Sequence, residues 1–84
     1  MADRVYNLAI LVFEDVEVLD FAGPFEAFST TGALANQLPF NVFLVAETAG
    51  IIHARGGLRI AANHQLDDCP KIDILLGSVD VHRI

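Results

Sequence analysis

A single cysteine, Cys69, stands among the 84 residues, so the chain can form no internal disulfide and no cysteine-rich zinc site. A reducing cytoplasm is the expected compartment. Basic residues are scarce too: five Lys and Arg face eleven Asp and Glu, giving a formal net charge of −6. Arg4, Arg55, Arg59, Lys71 and Arg83 are scattered, and Asp3, Asp73 and Asp80 dilute several of them. That argues against the positive patch that nucleic-acid phosphates require. Long apolar runs are also missing. Leu8 to Phe13 follows Asp3 and stops at Glu14, too short for an export signal and far too short for a membrane span. Repeats, low-complexity stretches and linkers are absent as well, so the sequence reads as one unit.

Apolar residues are abundant. Hydrophobic residues make up 54% of the chain and charged residues 19%, whereas a chain this short buries only about 60–65% of the surface its unfolded form exposes. More apolar surface is present than a small body hides. Either copies associate, a homodimer being the expected form, or the chain is one piece of a larger α/β unit.

The pattern along the chain is that of an α/β fold. Residues 5–13 become continuously apolar from Leu8 to Phe13, as a central parallel strand covered on both faces does. Glu14-Asp15-Val16-Glu17 forms an acidic exit loop. From Val18 to Thr31 the spacing of Leu19, Ala22, Phe25 and Phe28 predicts a helix, with Phe21, Phe25 and Phe28 on its inner side. If Asp20 is its N-cap, Pro24 should leave the opening turn irregular. Thr30-Thr31-Gly32 supplies a stop, and residues 33–39 read as a loop. Phe40 to Ala46 is a second strand, completing a right-handed βαβ crossover. Ile51-Ile52 and Leu58-Arg59-Ile60 flank Arg55-Gly56-Gly57 as a small hairpin whose glycines supply positive φ. Residues 61–71 read as a polar connection with a short helical turn after Asn63. Ile72 to Leu76 is a third parallel strand, after which the sheet is expected to end.

Asp20 is the first candidate for function, because a carboxylate where a strand's carboxyl end meets a helix start lies at the rim where α/β sheets hold ligands. Its plainer role is to cap the helix, a contribution of about 1 kcal/mol. Cys69 lies in Asp67-Asp68-Cys69-Pro70, where neighbouring carboxylates disfavour a thiolate, so an inert loop cysteine is expected rather than a nucleophile. His53, His64 and His82 are too widely spaced for a local metal motif. Gly56-Gly57 lacks the helix and the Lys-Ser/Thr of a phosphate loop, and Glu14, Asp15 and Glu17 read as a solvated acidic loop rather than a cation site. Neither cofactor nor metal is expected.

Leu8-Ala9-Ile10-Leu11-Val12-Phe13, the segment Val18-Leu19-Asp20-Phe21-Ala22-Gly23-Pro24-Phe25-Glu26-Ala27-Phe28, the hairpin Ala54 to Ile60 and the strand Ile72 to Leu76 together resemble the DJ-1/PfpI superfamily. The nearest subgroup is the isonitrile-hydratase-like proteins and the sensor domains of AraC-type regulators. The resemblance implies a flavodoxin-like, glutamine-amidotransferase-like three-layer α/β fold. It is usually dimeric and more than twice this length. Residues 5–76 would be its amino-terminal part and 77–84 a divergent tail. A cysteine on a later strand-to-helix elbow serves such proteins as nucleophile, and Asp20 matches the acidic residue beside it. In the hydratases that pair adds water to an isonitrile, a small-molecule substrate, giving an N-substituted formamide. Gly77-Ser78-Val79-Asp80 departs from the family's Pro-Gly-Gly-type turn, and the elbow lies beyond this sequence, so the chain by itself is expected to be inactive. The alternative is a non-enzymatic ligand-sensing or dimerisation domain of an AraC-type regulator.

Overall fold

The apolar run at the start of the chain forms a strand because neither of its faces meets water. The computed structural model describes residues 5–31 and 40–77, with β1 at Tyr6–Leu11 and α1 at Val18–Thr31. Leu8, Ala9 and Ile10 are all exposed by 1% or less. Because successive side chains of a strand point to opposite faces, Leu8 and Ile10 enter one core cluster and Ala9 enters another. β2 (Phe40–Ala46) lies parallel to β1, in register from Tyr6 opposite Phe40 to Leu11 opposite Val45. Its Phe43 and Val45 join Ala9, while Phe40, Val42, Leu44 and Ala46 join the Leu8 side. β1, α1 and β2 are thus the expected βαβ unit.

The hairpin also forms where the glycines predict it. β3 (Ile51–His53) and β4 (Arg59–Ala61) pair antiparallel, and a tight 3₁₀ turn at Arg55–Gly57 joins them. Gly56 and Gly57 have φ of 85° and 90°, a region that side chains disfavour. Buried Ile52 and Ala54 press the hairpin onto the same cluster as the helix.

The connection from 61 to 71 is more ordered than its polarity implies. It carries the short helical turn, at Leu66–Asp68, and also a two-residue strand, β5 (His64–Gln65), parallel to β2. Asn63 starts that pairing: its backbone N–H donates to the Leu44 carbonyl at 2.9 Å and its side-chain oxygen accepts the Leu44 N–H at 2.8 Å. A two-residue strand held this way has no apolar alternation to reveal it. β6 (Ile74–Leu76) pairs with the other edge of β1, Leu8 opposite Ile74, so the sheet order is β5-β2-β1-β6. Asn7 fixes that register. Its backbone N–H donates to the Asp73 carboxylate at 2.8 Å, its side-chain amide donates to the Lys71 carbonyl at 2.7 Å, and its carbonyl accepts the Asp73 N–H at 2.9 Å.

This is a mixed α/β architecture, a partial flavodoxin-like fold. α1 and the hairpin cover one face of the sheet, and Cys69 and Ile72 from the segment before β6 pack on the other. The helix buries a stripe of Val18, Phe21, Ala22 and Phe28, with the Phe28 ring edge-on to Phe40 at 5.3 Å. Two residues of the expected inner face behave otherwise. Leu19 is 77% exposed because it follows Val18 by about 100° around the helix, and Phe25 is 37% exposed although it lies on the stripe. Gly32, the loop 33–39 and tail residues 78–84 lie outside the described residues. Among those described, no helix is long and apolar enough to cross a membrane.

Phe21 is therefore the residue that attaches the helix to the sheet. Phe21→Ala should lower the unfolding free energy by ~3–5 kcal/mol, enough to unfold a small domain, whereas Leu19→Ala should change it by less than ~0.5 kcal/mol, both read from urea unfolding followed by circular dichroism.

Candidate functional site

The strand order locates the site before any side chain is considered. From β1 the chain crosses to β2 on one side, and later β6 docks on the other. An open parallel sheet splits its connections at such a point, leaving a crevice outside the carboxyl ends of the strands. A cleft lies there. Leu19, Asp20 and Pro24 of α1 form one wall and Leu76 and Gly77, at the end of β6, the other, around an open volume of about 410 Å³.

Asp20 reaches this cleft from inside the helix, which corrects its expected role as N-cap. α1 begins at Val18, so Asp20 is its third residue and Glu17 precedes the first turn. The Asp20 N–H donates to the Glu17 carbonyl at 3.0 Å. Burial explains the earlier start: Val16 is 1% exposed and Val18 packs against the core, so both pull the loop inward ahead of Asp20. The carboxyl still lies in the first turn, where the helix dipole favours negative charge. Pro24 is accommodated within the helix rather than in an irregular opening turn. It has no N–H, so it cannot donate to the Asp20 carbonyl four residues back. Asp20 and Pro24 both line the cleft. The carboxylate is exposed.

The acidic exit loop is held from the hairpin. Arg55 lies 2.8 Å from the Glu17 carboxylate through Nη1, and its Nε and Nη2 donate to the two Asp15 oxygens at 3.4 and 3.5 Å. Backbone bonds run both ways: the Arg55 N–H donates to the Val16 carbonyl at 2.8 Å and the Asp15 N–H donates to the His53 carbonyl at 2.7 Å. Asp15 takes φ 71°, a left-handed conformation that Asp tolerates better than most residues. Glu14 accepts the His53 N–H at 3.2 Å, and its other oxygen is 3.8 Å from His53 Nδ1. The loop is docked on the hairpin rather than merely solvated.

The remaining candidates fall elsewhere. Cys69 is half-buried, its thiol 3.4 Å from the Leu66 carbonyl, and it packs on the Ala9 face of the sheet. Asp20 is on the helix, across the sheet from it. His64 stacks edge-on against Phe43 at 5.2 Å, and His82 lies outside the described residues. Among the described residues no three His, Cys, Asp or Glu side chains converge as a metal site. Sequence reasoning placed Asp20 at the sheet rim, where the cleft lies, but not Leu76 and Gly77 of the opposite wall, whose one signal was a glycine directly after a strand. It also missed Arg55 as the tie between hairpin and loop.

No protein-family model and no curated protein sequence matches the chain. Among solved structures, it is similar to the crystal structure of an AraC family transcriptional regulator from Pseudomonas putida, with a TM-score of 0.71 and 16% identity. The match covers 86% of this chain and 45% of that one, so the chain spans less than half the length of the regulator. At this identity the likeness is one of fold.

Arg55 and Glu17 are part-exposed, which limits what their pairing contributes. A double-mutant cycle with Arg55→Met and Glu17→Gln should give a coupling of about 0.3–1 kcal/mol in urea unfolding, shrinking in 1 M salt.

Proposed function

We propose that the chain forms the amino-terminal part of a DJ-1/PfpI-type ligand-sensing domain of the kind that AraC-type regulators carry, residues 5–76 being that part. The observation behind this reading is the fold shared with the Pseudomonas putida regulator over 86% of the chain. The cleft at the switch point would take a small molecule, with Asp20 as the polar contact and Leu19, Pro24 and Leu76 as apolar walls. The domain would act as a homodimer in the cytoplasm, since Leu19, Ile51, Leu58 and Leu75 leave large apolar side chains about half exposed or more. Contact with nucleic acid would fall to other sequence, because the charge of −6 repels phosphate.

The isonitrile-hydratase reading of the same cleft ranks second. A carboxyl that exchanges protons with a reacting group works best when partly withdrawn from water. Asp20 is exposed, and the favouring observation is only its place at the switch-point cleft.

Incubating the purified chain with an alkyl isonitrile tests the sensing reading through its positive outcome. Without the cysteine elbow the chain should give no formamide above the uncatalysed background, and formamide production that Asp20→Ala abolishes and Cys69→Ala spares would replace sensing by hydration.

A further inference from the structure

A second cleft, sharing no residue with the one beside Asp20, opens between the carboxyl ends of β1 and β2. Leu11, Val12, Phe13, Ala46 and Ile52 make an apolar interior, and Glu14, Glu47 and Thr48 stand at its margin. Its volume of about 360 Å³ falls at the lower end of the ~300–1,000 Å³ usual for small-molecule pockets. No Lys, Arg or His is among the lining residues, and the nearest basic group is the His53 ring, its Nδ1 3.8 Å from the second Glu14 oxygen. The nearby Arg55 is turned to Asp15 and Glu17. Glu14 is not a loosely solvated side chain, because the His53 N–H holds one of its oxygens at 3.2 Å. Its orientation is therefore set by the hairpin.

We propose that this cleft binds a small organic cation, an ammonium group on a short apolar body. The body would replace water against Leu11, Phe13 and Ile52, and the ammonium would remain at the margin between Glu14 and Glu47, with the Thr48 hydroxyl as a further acceptor. A neutral ligand of the same shape would forgo the carboxylates, and an anion would be repelled by them. The inference stands apart from the reading of the Asp20 cleft, since the two sites can be occupied or empty independently.

The test is a titration of the isotope-labelled chain with n-butylammonium, 1-butanol and butanoate at matched ionic strength, followed by amide chemical shifts. Butylammonium should shift Phe13, Glu14, Glu47, Thr48 and Ile52 saturably, and 1-butanol should bind at least about twofold more weakly. Glu14→Gln and Glu47→Gln should each weaken butylammonium about two- to fivefold, and together they should erase its advantage over 1-butanol. Binding should also weaken as salt is raised. Equal binding of 1-butanol or butanoate by the unmodified chain, or the absence of any saturable shift at these residues, overturns the proposal. So does an undiminished preference for butylammonium in a double variant whose circular dichroism matches that of the parent.

Discussion

Everything in this structure depends on β1 being enclosed on both faces and paired on both edges. A strand in that position must be apolar throughout, and it fixes its neighbours twice over: through the backbone ladder, and through which side chains point to which side. Leu8 and Ile10 on one face call for a helix and a hairpin to cover them, and Ala9 on the other is small enough for the segment around Cys69 and Ile72 to lie close. A one-residue slip of either neighbour would exchange the two faces. Asn7 guards against it on the β6 side, where its backbone and side chain hold Asp73 and Lys71 just ahead of the strand.

The candidate cleft follows from that placement. Because β2 and β6 flank β1, the chain must leave β1 in one direction and return on the other side, and the cleft beside Asp20 is the gap between those paths. The hairpin then sets the exit loop. Arg55 reaches Glu17 directly before α1, so the start of the helix, and with it Asp20, is held from a part of the chain more than thirty residues away in sequence. An exposed ion pair contributes little stability by itself. Here it works together with two backbone hydrogen bonds between the same segments, and the combination defines a position.

Where hydrophobic period or backbone chirality governed an element, the sequence made it legible. The strand Phe40 to Ala46 and the helix Val18 to Thr31 have the boundaries their spacing predicts, and Gly56 and Gly57 announce the hairpin turn. Elements governed by a single polar side chain were hidden. β5 exists because Asn63 bonds Leu44 on both sides, and two residues cannot display a period. The cap was misassigned because Asp is a better cap than Glu by local preference, while burial of Val16 and Val18 decided the matter from outside that preference. The site was half legible for the same reason. Asp20 sits in a recognisable strand-to-helix hinge, but Leu76 and Gly77 become its neighbours only through the pairing of β6 with β1.

The two clefts at the carboxyl end of the sheet are bordered by different carboxylates, and the folding of the acidic loop explains why. Its residues are divided between tasks: Asp15 and Glu17 face Arg55, and Glu14 is tethered to the hairpin backbone at the margin of the second cleft. Asp20, in the first turn of the helix, borders the first. A sequence of Glu, Asp, Val and Glu looks like one solvated patch when read along the chain. Folded, it separates into a pair anchored by Arg55, with the buried Val16 between them, and a carboxylate held by the His53 N–H. The negative charge of this rim is therefore distributed by the hairpin, which holds Asp15 and Glu17 through the Arg55 side chain and Glu14 through its own backbone.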